Sequence, residues 1–208
     1  MKIAVTGFLP FNGRDINPSQ LIAEQVRPPK GTEITVKILS VEYKSSSAEL
    51  LDFLEQEKPD ALLSIGQAGN APYIAVERVA VNLDNSRTAD SRSLFPDQAG
   101  YAPVDEPIDE KGPAAYFSTL PVWDIVTAVN DKNIPARASY SAGTFICNHV
   151  MYEGLKYAAH HGNMRSGFIH VPFLPEQLGE NPRPGCYSME LSDMVRAVQT
   201  ALEVIAET

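Results

Sequence analysis

The run Ser141-Ala142-Gly143-Thr144-Phe145-Ile146-Cys147-Asn148-His149 sets a thiol where small, irregular residues give way to a helical pattern over 147–159. A thiol at a helix N-terminus feels the positive end of the macrodipole, which favours the thiolate. Backbone N–H groups left free in a first helical turn can also receive an oxyanion forming beside that sulfur. One segment would then supply both nucleophile and electrophilic assistance. The competing reading is that Cys147 is a small buried apolar side chain, as free cysteines usually are.

A cysteine nucleophile needs a base that takes its proton and later returns it to a leaving amine. His170, closing the apolar run Gly167-Phe168-Ile169-His170-Val171-Pro172, suits both tasks. It also fits a core histidine whose ring nitrogens are satisfied locally. Glu77 lies in Ile74-Ala75-Val76-Glu77-Arg78-Val79-Ala80-Val81-Asn82, an otherwise apolar strand pattern. A buried carboxylate must meet a cation or a donor. Arg78 is adjacent, but successive strand side chains point to opposite faces. Glu77 is thus free to orient an imidazole as the third member of a triad, or else it faces water at a sheet edge.

Other segments are weaker. Gly66-Gln67-Ala68-Gly69-Asn70 looks like a phosphate cradle but has no lysine and leads into Ala71-Pro72 and a strand, not a helix. Gln67 could instead exchange hydrogen bonds with an amide substrate. Phe8, Phe11 and Phe145 could wall an apolar pocket or be core. His149 and Glu153, one helical turn apart, lack a third metal ligand at recognisable spacing. His160 and His161 suit a helix C-terminus. Cys186, in Pro184-Gly185-Cys186, reads as a loop thiol, with an intersubunit bridge as the alternative.

The elements that must position these residues alternate. Residues 2–6 read as a buried strand ending in a Gly-Phe-x-Pro-Phe turn. Asn17-Pro18-Ser19-Gln20 reads as a helix start with Asn at the N-cap, Pro at the first position and Gln closing a capping box. Strands are expected over 34–41, 61–66, 74–83, 137–140 and 167–171. Helical spacing covers 48–54 (ended by Pro59), 123–130, and the C-terminal stripe Leu191, Met194, Val195, Val198, Leu202, Ile205. This rhythm predicts an α/β fold with a largely parallel sheet. The turns after four strands, at 8–11, 66–69, 141–147 and after 171, could meet at one sheet edge. Residues 84–113 lack periodicity, a length of loop that is usually functional or mobile and often a lid.

Bulk properties narrow the class. With 208 residues, 44% hydrophobic and 21% charged, the chain suits one folded domain over 1–208. A formal net charge of −9 argues against unspecific binding to nucleic acid or anionic membrane. Two cysteines make no disulfide framework, which fits a reducing cytoplasm. The N-terminal apolar run is too short for a signal segment, and no stretch approaches a membrane span.

Three separated segments together resemble pyroglutamyl-peptidase I, the cysteine peptidase family C15 that removes N-terminal pyroglutamate from peptides. They are Gly66-x-x-Gly69 leading through Glu77-Arg78-Val79-Ala80-Val81-Asn82; Ser141 through Asn148; and Phe168-Ile169-His170-Val171-Pro172-Phe173-Leu174-Pro175-Glu176-Gln177. Thr6-Gly7-Phe8-x-Pro10-Phe11, Asn17-Pro18-Ser19 and the run 112–121 are also similar. The resemblance implies a three-layer α/β/α sandwich around a mixed, largely parallel sheet of the phosphorylase/hydrolase-like kind. It implies a Cys147–His170–Glu77 triad working through a thioacyl-enzyme, with Arg87 helping to stabilise the tetrahedral intermediate. Phe8, Phe11 and Phe145 would enclose the lactam ring, with Gln67 and Ile146 beside it. No metal or cofactor is implied, the partners are pyroglutamyl peptides, and members are commonly homotetramers or dimers.

Two positions depart from the family pattern: Ala75 stands for a usual Ser or Thr, and Asn12 for a common glycine. Two other readings stay open on sequence. One is a non-catalytic homologue that captures cyclic amides. The other is a nucleoside phosphorylase-like enzyme on a related fold.

Overall fold

A computed structural model of the chain describes residues 1–69, 71–87, 93–162, 164–179 and 184–208. Its strands are β1 (Lys2–Phe8), β2 (Glu33–Leu39), β3 (Ala61–Gln67), β4 (Ile74–Glu77), β5 (Val79–Val81), β6 (Ala115–Phe117), β7 (Ala136–Ser139) and β8 (Arg165–Val171). The helices are α1 (Pro18–Gln25), α2 (Tyr43–Glu57), α3 (Val122–Asp131), α4 (Ile146–His161) and α5 (Leu191–Glu207), with a 3₁₀ turn at Pro175–Gln177.

The main sheet runs β2-β1-β3-β8-β4-β7. Its pairs are parallel except β4 with β8, which is antiparallel, so the sheet is mixed. Because strand side chains alternate between faces, the sheet feeds two separate cores. Ile3, Val5, Leu63, Ile65, Ile74, Val76, Ile169 and Val171 pack against α1, α3 and α5. Ala4, Phe8, Leu62 and Phe168 pack against α2 and α4. The architecture is therefore an α/β/α sandwich. In α5, Met194, Val198, Leu202 and Ile205 are fully buried, so the C-terminal stripe is packing.

The single strand expected over 74–83 breaks at Arg78. β4 belongs to the main sheet, whereas β5 pairs with β6 in a separate two-stranded sheet. Apolar character continues through the break because both halves are covered, and periodicity does not reveal which sheet a strand joins. The break carries Arg78 away: its guanidinium lies 5.5 Å over the Phe117 ring and donates to the Ser118 carbonyl. The start of α1 also differs in one detail. Asn17 caps the helix, accepting from the Ser19 N–H at 3.0 Å. Gln20, however, donates to Glu24 and leaves the capping box open. The other end of the Asn17 amide donates to the Leu9 carbonyl, tying the turn after β1 to the helix. Asn12, in that turn, adopts a left-handed φ of 55°, a conformation asparagine tolerates better than most residues.

Candidate active site

Alternation along the strands decides which residues meet. Ile74 and Val76 face the α1/α3/α5 core, so Ala75 and Glu77 face the α2/α4 side. Phe168 faces α4, and His170 therefore does too. Gly66, His170 and Ala75 lie side by side across β3, β8 and β4. Glu77, paired with Phe168, is the diagonal neighbour of His170, within reach of a long side chain. His170 Nδ1 stands 2.8 Å from Glu77 Oε1, both residues being buried.

The helix above this row is α4, and Cys147 is its second residue. The N-cap is Phe145, whose side chain offers no acceptor and makes no capping bond. Backbone pairing within the helix begins with His149, whose N–H donates to the Phe145 carbonyl at 3.1 Å. The N–H groups before it, that of Cys147 included, are not consumed by a cap. The thiol comes down onto the sheet where the strand has no side chain: a Cβ on Gly66 would stand 2.8 Å from Cys147 Sγ. Any larger residue at 66 would collide with the sulfur and with the Phe168 ring.

Burial alone would depress the His170 pKa. The adjoining Cys147, by charge and hydrogen bond, and Glu77 outweigh it and push the value from 6.5 up to about 10. His170 is thus held as an imidazolium at neutral pH. With Nδ1 engaged by Glu77, Nε2 is the nitrogen left for the sulfur.

A cavity of about 980 Å³ opens over these groups and brings together every site residue read from the sequence: Cys147, His170, Glu77, Arg87, Phe8, Phe11, Gln67, Phe145 and Ile146. The turns at 8–11, 66–69 and 141–147 and the end of β8 converge here. Ala75, small and opposite His170, also lines it. Several lining residues were not legible in the sequence: Tyr43 from the start of α2, and Phe95, Pro96, Asp97 and Gln98 from the long irregular segment. Phe95 meets Phe145 edge-on at 6.1 Å. Aromatic residues inside an otherwise polar loop were the only available signal. Residues 88–92 of the segment read as a lid lie outside the described residues.

Arg87 reaches the cavity on a segment fastened to the head of α4. Asn85 and Thr144 exchange hydrogen bonds of 3.0 and 2.9 Å. The Asn148 amide clamps Val81 N–H and the Val81 and Leu83 carbonyls at 2.9–3.1 Å. Asp84 Oδ2 lies 2.7 Å from His149 Nδ1, a second buried histidine–carboxylate pair. Arg87 N–H in turn donates to Asn85 Oδ1.

The remaining candidates are employed elsewhere. His149 is committed to Asp84, and Glu153 pairs with Lys156 at 3.4 Å. No grouping of three His, Cys, Asp or Glu able to hold a metal occurs among the described residues. His160 and His161, in the last turn of α4, donate to the Lys156 and Tyr157 carbonyls one turn earlier. The loop after β3 leads to β4 with no helix opening at it, and Ala68 N–H is spent on the Val171 carbonyl. Asn70 of that loop lies outside the described residues. Cys186 is half-buried in a loop and unbridged. No helix among the described residues is long and apolar enough to cross a membrane.

Comparison with known proteins agrees in sequence and in fold. The profile of the pyroglutamyl peptidase family matches residues 1–208. Pyrrolidone-carboxylate peptidase 1 of Caldanaerobacter subterraneus subsp. tengcongensis is 44% identical, covering 100% of this chain and 98% of the relative. The corresponding protein of Chromobacterium violaceum is 45% identical over 97% of this chain and 91% of its own length. Among solved structures, Bacillus amyloliquefaciens pyroglutamyl peptidase I superposes with a TM-score of 0.92 at 35% identity, covering 100% and 97% of the two chains. The Thermococcus litoralis pyrrolidone carboxyl peptidase gives 0.91 at 37% identity, covering 99% and 93%.

Proposed function

Because the chain belongs to the pyroglutamyl peptidase family, we propose that it is a cysteine exopeptidase that hydrolyses the amide bond following an N-terminal pyroglutamyl residue. Cys147, as the thiolate, attacks the carbonyl carbon of that bond. The oxyanion is received by the Cys147 N–H at the uncapped start of α4, with Arg87 at the same cavity. His170, protonated, gives its Nε2 proton to the departing amine, and the C–N bond breaks to leave a thioacyl-enzyme. Water then attacks the thioester, His170 takes its proton, and pyroglutamate leaves as the thiolate is restored. Glu77 keeps the imidazole oriented and balances its charge.

The observation that carries this reading is the joint placement of an uncapped helix start, a sulfur over a glycine and a carboxylate-bound imidazole in one cavity. The aromatic side chains suit the lactam end of the substrate. Pyroglutamate has no charged α-amine, so an apolar wall need not strip water from a cation. A free N-terminal glutamate or glutamine would incur that cost.

The test is release of a chromogenic amine from a pyroglutamyl amide in reducing buffer. Turnover by the wild type, its loss in Cys147→Ala and on alkylation, and its survival in chelator are the expected results. Full activity after complete labelling of Cys147 would refute the nucleophile, and absence of wild-type turnover would remove the substrate assignment.

A further inference from the structure

We propose that Gln177, which does not line the cavity, is a positioning residue: it fixes which end of the Gln67 amide faces the substrate and thereby selects for a ring bearing a carbonyl oxygen. The proposal rests on the pyroglutamyl reading above.

The hydrogen-bond chain runs in one direction only. Leu174 N–H can only donate, and it lies 2.8 Å from Gln177 Oε1. The other terminal atom of Gln177 is therefore Nε2, and this lies 3.2 Å from the Ile16 carbonyl, which can only accept. Two backbone groups, from the 3₁₀ turn and from the segment before α1, thus orient the Gln177 amide without reference to Gln67. Gln177 is itself anchored, its N–H donating to the Leu174 carbonyl and its own carbonyl accepting from Arg14 at 3.0 Å.

With one Nε2 proton on Ile16, the second is directed at Gln67, whose amide oxygen accepts it at 2.9 Å. An –NH₂ group presented to an amide can be met only by its oxygen. Gln67 Oε1 is thereby turned toward Gln177, and Gln67 Nε2 is the half with no partner among the described residues. Gln67 lines the cavity, so the wall offers a donor at this point, not an acceptor.

A wall donor matches the ring carbonyl of pyroglutamate. Proline has the same five-membered ring without that oxygen, and would leave the donor desolvated and unpaired. Sites built to bond a polar group reject analogues lacking it far more strongly than apolar pockets sort by size.

The decisive measurement compares kcat/KM for pyroglutamyl and prolyl 4-nitroanilides. In Gln177→Glu the carboxylate still accepts from Leu174 but offers nothing to Gln67, whose amide turns to donate to it and shows the cavity an acceptor. The expected result is a fall in the pyroglutamyl-to-prolyl ratio of roughly a hundredfold, carried by KM, with the prolyl rate and the alkylation rate of Cys147 unchanged. Gln177→Met, which fills the same space without imposing a direction, should lower the ratio about tenfold. It decides the question if the glutamate variant does not fold. An unchanged ratio in a folded variant overturns the proposal. So does a loss that falls equally on both substrates, which would mark Gln177 as merely structural. A wild type inactive on the pyroglutamyl amide would instead overturn the substrate assignment on which the proposal stands.

Discussion

Among the described residues the molecule holds two buried histidine–carboxylate pairs of nearly equal geometry. His170 meets Glu77 at 2.8 Å, and His149 meets Asp84 at 2.7 Å. In each pair the carboxylate's second oxygen, Glu77 Oε2 or Asp84 Oδ1, is buried with no partner among the described residues. By distance and burial the two are interchangeable. They differ in what stands on the far side of the ring. His170 faces Cys147 and the cavity, whereas His149 is edge-on to Tyr43 at 5.7 Å and neither it nor Asp84 lines the cavity. The first pair is the one to which the proposed mechanism gives a proton to hold and move. The second ties the segment carrying Arg87 to the helix carrying Cys147. A histidine–carboxylate contact is therefore not by itself a sign of chemistry; access and a neighbouring nucleophile make it one.

The comparison breaks most decisively at the histidines. His170→Ala should lower kcat by on the order of 10⁴-fold or more while the protein stays folded. His149→Ala should chiefly cost stability, about 1–3 kcal/mol for the stranded Asp84. Thermal unfolding and kinetics on the same samples separate the two; a folded His149→Ala as inactive as His170→Ala would erase the distinction.

Glu77→Gln keeps the shape and removes the charge, and should cost up to about 10⁴-fold in kcat. It also sharpens the comparison through pH. The His170 pKa is raised in the folded protein, so the stability its pairs contribute is fully present below its ordinary value of 6.5 and is lost as pH rises through about 10. In the proposed mechanism activity needs the imidazolium to protonate the leaving amine, and it should fall over the same alkaline limb. In Glu77→Gln that limb moves to lower pH; a limb left in place would show that Glu77 does not support the charge. Asp84→Asn is expected to lower the melting temperature and to change kcat/KM by less than about tenfold, since it loosens the Arg87 segment without touching the sulfur. Cys186→Ser should lie within about 0.5 kcal/mol of wild type in stability and be kinetically silent.

Much of this was legible in the sequence because it rests on short-range rules. The strand–helix rhythm gave the layers, and the helix start after Phe145 marked where a thiol would be electrostatically favoured. What escaped depends on pairings between distant residues. That β4 runs antiparallel to β8, bringing Glu77 diagonally beside His170, is a matter of topology. The break at Arg78 looked like continuous strand because both halves are apolar. Asp84 and His149 lie 65 positions apart in the chain, and His149 was read only against its helical neighbour Glu153. Tyr43 reaches the cavity from the first position of α2, ahead of the helical spacing read at 48–54, and residues 95–98 from a loop whose course no periodicity describes.

The uncapped start of α4 carries a warning for anyone seeking a sturdier variant. Helix starts reward Ser or Asp at the first boundary, typically by about 1 kcal/mol over a residue with no acceptor, and Phe145 is the obvious place to apply that remedy. The same oxygen would occupy the amide protons that the proposed reaction borrows for an instant, and the substitution would strip an aromatic wall from the cavity. Here a poorly begun helix is a reserved seat, and a stabilising substitution would fill it with a permanent occupant.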